Sequence, residues 1–106
     1  MELNLDTVAV IHNEEAHRFE ATGDGLRSLL AYRLFPDRIV LHHTEVPPPI
    51  QGQGMAAKLT RAALDFARAR HLRVVPLCPY VSSFLRKHRE YQDLVSSADL
   101  EKILSD

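Results

Sequence analysis

The first half of the chain alternates short apolar runs with polar turns, which is the pattern of strands joined by tight connections. β-Branched and apolar residues are concentrated in residues 7–13 and again in residues 17–21. Apolar positions with a period of two mark a third strand around Tyr32, and a continuous apolar run opens a fourth at residues 39–46. The pattern predicts four consecutive strands in a meander.

The second half has a helical period. Three prolines end the fourth strand, because proline has no amide hydrogen to donate to a neighbouring strand. From there on, apolar residues recur at helical spacing; they are Met55, Leu59, Ala62, Ala63 and Phe66. The pattern therefore predicts the main helix of the chain from Met55 onward.

A short apolar run at residues 72–78 predicts a fifth strand. Because a strand–helix–strand crossover joins parallel strands, the fifth strand should lie parallel to the fourth. Residues 80–88 predict a second helix, and a short element with Tyr91 and Leu94 should pack back on it. Residues 98–104 add a marginal helix. The predicted fold class is α/β, with a mostly antiparallel sheet and two main helices.

Composition places the chain among single soluble domains. It has 106 residues, 45% of them apolar and 25% charged, and a formal charge of −1, so there is no overall basic field to bind nucleic acid or anionic lipid. A single cysteine, Cys78, cannot form an internal disulfide. The N-terminus lacks the pattern of a signal peptide, and no run is long enough to span a membrane. The sequence predicts a cytoplasmic protein without a metal site, as a monomer or weak homodimer.

The charges are unevenly distributed along the chain. Residues 1–24 carry six acidic residues against one basic residue, whereas residues 57–73 carry five basic residues against one acidic residue. The basic segment could hold a phosphorylated ligand. Charge alone favours the plainer interpretation of a solvated helix face.

The segment before the main helix is a candidate anion site. Gly52 and Gly54 let the backbone turn sharply there, and the free amides at the start of a helix favour a negative charge. A P-loop is excluded, because Lys58 is followed by leucine rather than by serine or threonine. A dinucleotide fingerprint is met in form but lacks the acidic residue expected about 20 positions later. A tight turn without a ligand is an equal alternative.

Three segments, at residues 43–48, 51–56 and 75–81, resemble the small, single-domain YjdJ-type branch of the GNAT superfamily of N-acetyltransferases. The superfamily's pyrophosphate loop has the pattern Gln/Arg-x-x-Gly-x-Gly/Ala, which Gln51, Gly54 and Ala56 match. The resemblance implies one domain over residues 1–95, with residues 96–106 as a C-terminal extension. It also implies a GNAT-like sheet whose fourth and fifth strands splay apart around a coenzyme A site.

The resemblance further implies acetyl-coenzyme A as the cofactor. The residues implied to bind it are Val46, through its backbone, and Gln51, Gly52, Gln53, Gly54, Met55, Ala56, Lys58 and Arg61. The implied activity is acetyl transfer to an unidentified amine, either on a protein or on a small polyamine. Two alternatives are an acyl-coenzyme A-binding module without efficient turnover and an interaction domain that docks an acidic partner through the basic helix.

His43 and Cys78 are the candidate catalytic residues. Imidazole can act as a base near neutral pH, and strand alternation predicts that His43 shares a face with Leu41 and Glu45. Cys78, at the end of the fifth strand, has three interpretations: an acyl acceptor, an acid for the leaving thiolate, or a small core residue. The resemblance favours a functional role for both. Glu45 could orient His43, bind the amine or anchor the proline turn, and Tyr80 is interpreted as a packing residue.

Overall fold

In the computed structural model, which describes residues 3–105, five strands form one sheet in chain order. The strands are β1 (Val10–Asn13), β2 (Arg18–Gly23), β3 (Leu26–Leu34), β4 (Arg38–Glu45) and β5 (Arg73–Pro76). The first four pair antiparallel, and β5 pairs parallel to β4. The predicted meander and the parallel fifth strand are confirmed. Met1 and Glu2 of the predicted domain, and Asp106 of the predicted extension, lie outside the described residues.

Three α-helices and three short 3-10 turns complete the α/β fold, which confirms the predicted class. The helices are α1 (Met55–Ala69), α2 (Pro79–Lys87) and α3 (Ser97–Ser105), and the 3-10 turns span Leu5–Thr7, Pro48–Ile50 and Arg89–Leu94. The last of these turns and α3 correspond to the predicted short final element and the predicted helical tail. Ile103 of α3 is 4% exposed and belongs to the core.

Two strand boundaries differ from the prediction. The first strand begins at Val10 because residues 5–7 form a 3-10 turn, in which the Asn4 side chain accepts a hydrogen bond from the amide of Asp6. The fifth strand ends at Pro76 because Cys78 already caps α2. Apolar residues continue past both strand boundaries. The neighbouring 3-10 turn and the start of α2 therefore decide where the two strands begin and end.

Helix α1 packs its apolar face on the sheet. Met55, Leu59 and Ala63 are buried as predicted, and Leu64, which the periodicity did not single out, is also fully buried. Thr60 is the polar member of this face, and its hydroxyl donates to the carbonyl of Ala56 at 2.8 Å. Burial of a leucine-sized side chain stabilises a fold by about 1.5–3 kcal/mol, so this face fixes where the start of α1 lies over the sheet.

A bulge in β4 reverses the facing of its last residues. Leu41 pairs with Tyr32 and His43 pairs with Ala31, so His42 is an extra residue on β4. The prediction that His43 shares a face with Leu41 is therefore wrong, because one inserted residue shifts the alternation by one position. Thr44 lies on the helix-packed face instead, and His43 points to the opposite face.

The face of the sheet opposite α1 contacts solvent, and we call it the open face. Ile11 on β1 is 62% exposed, and the side chains of Arg27 on β3 and His43 on β4 are more than half exposed. The Glu20 carboxylate accepts a hydrogen bond from the Arg18 guanidinium on this face and lies 3.6 Å from that of Arg27. Burial thus alternates along β2 and β3, with one side covered by α1 and the other polar.

An aromatic cluster beneath α1 contains a half-buried histidine. The ring of His12 stacks on Phe19 at 4.1 Å, and its Nε2 lies 2.6 Å from the Tyr32 hydroxyl. Burial lowers the pKa of His12; Glu14 opposes this shift and Arg70 adds to it. Burial also raises the pKa of Tyr32. The neutral imidazole is therefore the form that this cluster stabilises.

We expect the free energy of unfolding to fall as the pH drops from about 7 to about 5. The unfolded chain takes up a proton at His12 near the ordinary histidine pKa of about 6.5, while the folded chain resists it, so stability falls by at most about 1.4 kcal/mol per pH unit. Urea unfolding at several pH values measures the slope. His12→Gln should reduce the slope of the unfolding free energy against pH, and the exposed control His71→Gln should not. An unchanged slope in His12→Gln would contradict the role of His12 in the pH dependence.

Candidate functional site

Strands β4 and β5 separate after a short paired segment. Pairing runs from Arg38 opposite Arg73 to Leu41 opposite Pro76, and the Leu41 carbonyl then accepts the amides of both Leu77 and Cys78 at 3.0 Å. Strand β4 continues to Glu45, whereas the chain after β5 turns away into α2. A V-shaped gap results, in which the last part of β4 has no pairing with β5.

The connection from β4 to α1 places free amides beside this gap. Gly52 and Gly54 adopt φ angles of +77° and +97°, in the left-handed region, and Gly54 caps α1. The first intrahelical hydrogen bond runs from the Lys58 amide to the Gly54 carbonyl at 3.0 Å. The amides of Met55 and Ala56 precede it and have no helical acceptor. The first turn contains no acidic residue, so this helix start retains its positive potential.

The free amides border a cleft of about 320 Å³, which we call the loop cleft. It is lined by residues 51, 52 and 54–57 together with Thr44, Val46 and Tyr80. Its volume lies in the range typical of small-molecule sites. Tyr80 is 37% exposed, and burial raises the pKa of its phenol. Tyr80, which is expected from the sequence to be a packing residue, thus lies at this cleft; its position in the first turn of α2 is the sequence signal for that placement.

Two glutamine side chains hold the loop in place. The Gln51 amide nitrogen donates to the Val46 carbonyl at 2.8 Å, and the Gln53 side-chain oxygen accepts the Leu3 amide at 2.7 Å. Both predicted ligand-binding glutamines thus make contacts within the protein. They connect the loop to the end of β4 on one side and to the N-terminal segment on the other.

Residues 3–7, which we call the N-terminal strap, lie against the glycine loop. The Lys58 ammonium donates to the Leu5 carbonyl at 2.7 Å, and a Cβ atom on Gly54 would lie only 2.6 Å from Leu5 Cδ1. A Cβ on Gly52 would meet no atom within 4 Å. The left-handed φ of Gly54 and the Leu5 side chain of the strap both oppose a side chain at residue 54, while Gly52 borders open space in the cleft.

Gly54→Ala should lower the free energy of unfolding more than Gly52→Ala does. Each substitution forces a side chain into left-handed backbone, at about 1–3 kcal/mol, but only the first also collides with Leu5. In a protein that already carries Leu5→Ala, the substitution Gly54→Ala should lower the free energy of unfolding by less than it does in the unmodified protein. Chemical denaturation measures all four; equal losses at the two glycines would contradict the contact.

Lys58 and Arg61 line a neighbouring groove of about 650 Å³, which we call the basic groove; Asp65 is the acidic residue in its lining, and the groove shares Gly54 and Ala57 with the loop cleft. The Arg61 guanidinium lies 5.4 Å from the centre of the Phe84 ring, at cation–π distance. Lys58 contacts the strap, as described above. Both predicted phosphate-binding cations thus lie beside the loop cleft and contact groups of the protein itself.

Cys78 is 4% exposed, and its thiol lies 3.2 Å from the Thr44 hydroxyl across the gap. It caps α2, and its carbonyl accepts the Ser82 amide at 3.1 Å. The structure thus brings Cys78 together with Thr44, whereas His43 lies on the other face of β4. Thr44 was not singled out from the sequence, because only the bulge at His42 turns it inward.

His43 pairs with Glu45 on the open face. Its Nε2 lies 3.2 Å from the Glu45 carboxylate, and both side chains are more than half exposed. Glu45 also lines a cleft of about 390 Å³, the strand-end cleft, with Arg27, Thr44, Val46, Pro47, Pro48 and Gln51. This cleft shares Thr44, Val46 and Gln51 with the loop cleft. The two clefts therefore meet at the end of β4, and His43 and Cys78 lie on either side of the sheet at that point.

No group of three or more histidine, cysteine, aspartate or glutamate side chains in residues 3–105 is arranged to hold a metal ion. Across the same residues, no helix has both the length and the apolar character needed to cross a membrane.

Comparison with known proteins gives consistent matches over most of the chain. The sequence profile of the GCN5-related N-acetyl-transferases matches residues 18–94. Protein NATD1 of Bos taurus is 36% identical over 84 residues, spanning 76% of this chain and 74% of NATD1; the Homo sapiens protein is 33% identical with the same coverage. The solution structure of a GCN5-like protein from Staphylococcus aureus superposes with a TM-score of 0.64 at 27% identity, over 83% of this chain and 87% of that one.

The matched segment begins with β2 and ends with the last 3-10 turn. It contains the glycine loop, α1 and both strands of the splayed pair. The N-terminal strap and α3 lie outside it.

Proposed function

This chain belongs to the family of GCN5-related N-acetyl-transferases, and on that premise we propose that it transfers an acetyl group from acetyl-coenzyme A to an amine. Family membership supports acetyltransferase activity in general. The observation that supports this cofactor is the start of α1, where Met55 and Ala56, whose amides precede the first helical hydrogen bond, line a cleft beside the splayed strands.

The loop cleft fits the pyrophosphate of coenzyme A. Amides that precede the first helical hydrogen bond, at Met55 and Ala56, donate to phosphate oxygens, and the helix dipole adds a favourable potential. Gly52 leaves room for close approach, since a Cβ there would meet open space. Gln51 and Gln53 hold the loop in this shape through their side chains. Bound in this way, acetyl-coenzyme A supplies the activated acetyl thioester.

The gap between β4 and β5 suits the pantetheine arm. The end of β4 has backbone groups that do not pair with β5, and Val46 lines both clefts there. The Val46 carbonyl accepts the Gln51 side chain and keeps a second lone pair for an amide of the arm. Tyr80 also lines the loop cleft, and its ring is proposed to pack against the arm.

Lys58 and Arg61 are proposed to bind the 3′-phosphate. The basic groove that they line joins the loop cleft at Gly54 and Ala57, so a ligand that fills the cleft extends into the groove. Each cation would exchange its contact with the protein for a charge-assisted hydrogen bond to phosphate.

His43 and Cys78 are proposed to handle the protons of the transfer. Acetylation forms a carbon–nitrogen bond and breaks the carbon–sulfur bond, so the amine loses a proton and the sulfur gains one. His43, oriented by Glu45, accepts the proton from the amine on the open face. Cys78, held at 3.2 Å by Thr44, donates a proton to the departing thiolate on the other side. Acetylation of Cys78 itself is the alternative route, and intact mass distinguishes the two.

Calorimetric titration with coenzyme A and dephospho-coenzyme A tests the binding part. We expect saturable binding of both, with coenzyme A the tighter ligand, and we expect Lys58→Gln/Arg61→Gln to reduce that difference to near zero because it removes the phosphate contacts. Release of free thiol from acetyl-coenzyme A with a panel of amines tests turnover. Binding without turnover would favour an acyl-coenzyme A-binding module, and absence of binding would contradict the proposal.

A further inference from the structure

On β2 and β3, the open face next to His43 carries more positive than negative charge. The Arg18 and Arg27 guanidiniums both contact the single carboxylate of Glu20, so one positive charge is left unbalanced there. Arg18 is the main cause of the lowered pKa of Glu20, which keeps that carboxylate ionised. Glu45 is already paired with His43. A molecule that approaches this face therefore meets two charges of opposite sign, the Arg27 guanidinium on β3 and the Glu45 carboxylate beside His43 on β4.

The strand-end cleft lies at the end of β4, and the two charged side chains in its lining, Arg27 and Glu45, belong to the open face. Leu29 lies opposite Glu45 in the β3–β4 pairing, and Arg27 is two positions further along the same face of β3. Such diagonal neighbours in an antiparallel pair are about 7–8 Å apart. Both side chains are long enough to bind opposite ends of one small molecule between them.

These charges select among amines. A polyamine or a lysine-rich segment would place a second cation next to Arg27, which is repulsive at short range. An amine with a carboxylate a few bonds away would instead satisfy both charges, with the ammonium beside Glu45 and His43 and the carboxylate on the Arg27 guanidinium. The ammonium would then lie next to the proposed base, at the end of β4 where the two clefts meet.

We propose that the acceptor of the acetyl group is a small amine that carries a carboxylate, bound in the strand-end cleft with Arg27 as its specificity-determining residue. This inference rests on the proposed acetyl transfer and narrows it to one substrate class. It gives a function to the open face of the sheet, the face that α1 does not cover.

Three amines with three carbons each test the proposal. The third carbon is a carboxylate in β-alanine and a methyl group in propylamine, and it carries an ammonium in 1,3-diaminopropane. We expect kcat/KM for β-alanine to exceed that for propylamine by at least about tenfold, the worth of one charge-assisted hydrogen bond, and 1,3-diaminopropane to be the poorest substrate. Arg27→Gln should remove the preference for β-alanine without changing coenzyme A affinity.

Arg33→Gln is the matched control. Arg33 lies on the same face of β3, six residues from Arg27 and hence about 20 Å away, so the same loss of charge should leave the preference intact. A second readout does not depend on turnover: β-alanine should shift the backbone amide resonances of Leu29 and Glu45 when coenzyme A is bound, and should not in Arg27→Gln.

The outcomes separate this inference from the proposed function. If coenzyme A binds and propylamine or 1,3-diaminopropane is acetylated as well as β-alanine, the acceptor assignment is overturned while acetyl transfer stands. Absence of β-alanine binding to the coenzyme A complex overturns it as well. Failure of coenzyme A to bind at all would overturn the proposed function first, and the acceptor assignment with it.

Discussion

Replacing Ala56 with aspartate is expected to abolish coenzyme A binding while leaving the fold at least as stable. Ala56 lies in the first turn of α1 and lines the loop cleft, so a carboxylate there lies close to the proposed pyrophosphate. Two like charges about 4 Å apart repel by several kcal/mol at an effective dielectric constant of about 20, so the dissociation constant should rise at least about 100-fold.

The same carboxylate favours the helix. An acidic residue in the first turn stabilises a helix by about 0.3–1 kcal/mol through the helix dipole, and the native first turn has none. Ala56→Asn is the matched control, with the same shape and no charge, and should bind far more tightly than the aspartate variant. Calorimetry and thermal melting measure the two effects; a stable Ala56→Asp protein with unchanged affinity would remove the pyrophosphate from this loop.

Cys78→Ala is expected to lower kcat by about 100-fold, which is the lower end of the rate enhancement that a positioned proton donor contributes. Coenzyme A affinity should change little, because the thiol contacts Thr44 and not the glycine loop. Cys78→Ser, which retains a proton donor of similar size, should recover part of the rate. Steady-state kinetics at saturating acetyl-coenzyme A measures kcat, and calorimetry measures affinity.

Two further variants separate the possible roles of Cys78. Thr44→Val keeps the volume but removes the hydroxyl at 3.2 Å, and should lower kcat by less than Cys78→Ala if Thr44 only orients the thiol. Intact mass after mixing with acetyl-coenzyme A shows an added acetyl group only if Cys78 is an acyl acceptor. A Cys78→Ala enzyme with full activity would return the cysteine to the core.

Features with a local periodic signal could be predicted from the sequence. The meander follows from period-two runs and turn residues, and α1 follows from apolar spacing after Met55, because both signals depend on neighbours within a few residues. The parallel placement of β5 follows from the crossover rule. The position of the glycine loop before α1 could be predicted for the same reason, because it is a contiguous segment; that it binds an anion stays a prediction.

Features that depend on contacts between distant segments could not be predicted. One extra residue at His42 exchanges the faces of His43 and Thr44, and no residue type marks a bulge in a run of apolar and polar residues. Besides its left-handed φ, Gly54 has a second constraint in the contact with Leu5, about fifty positions earlier in the chain. The catalytic role expected for His43 and the phosphate-binding role expected for Lys58 stay predictions. Both side chains contact groups of the protein itself, Glu45 and the Leu5 carbonyl, and these contacts have no signal in the sequence.

The contact between the N-terminal strap and the glycine loop has a thermodynamic consequence. Leu3, Leu5 and Lys58 join the strap to the loop whose amides are proposed to bind phosphate, so docking of the strap and occupation of the loop share a coupling free energy. Such coupling is reciprocal. The factor by which the docked strap raises ligand affinity is the factor by which the bound ligand raises the equilibrium constant for docking of the strap. A substitution in the strap that weakens its docking would then alter ligand affinity through the loop.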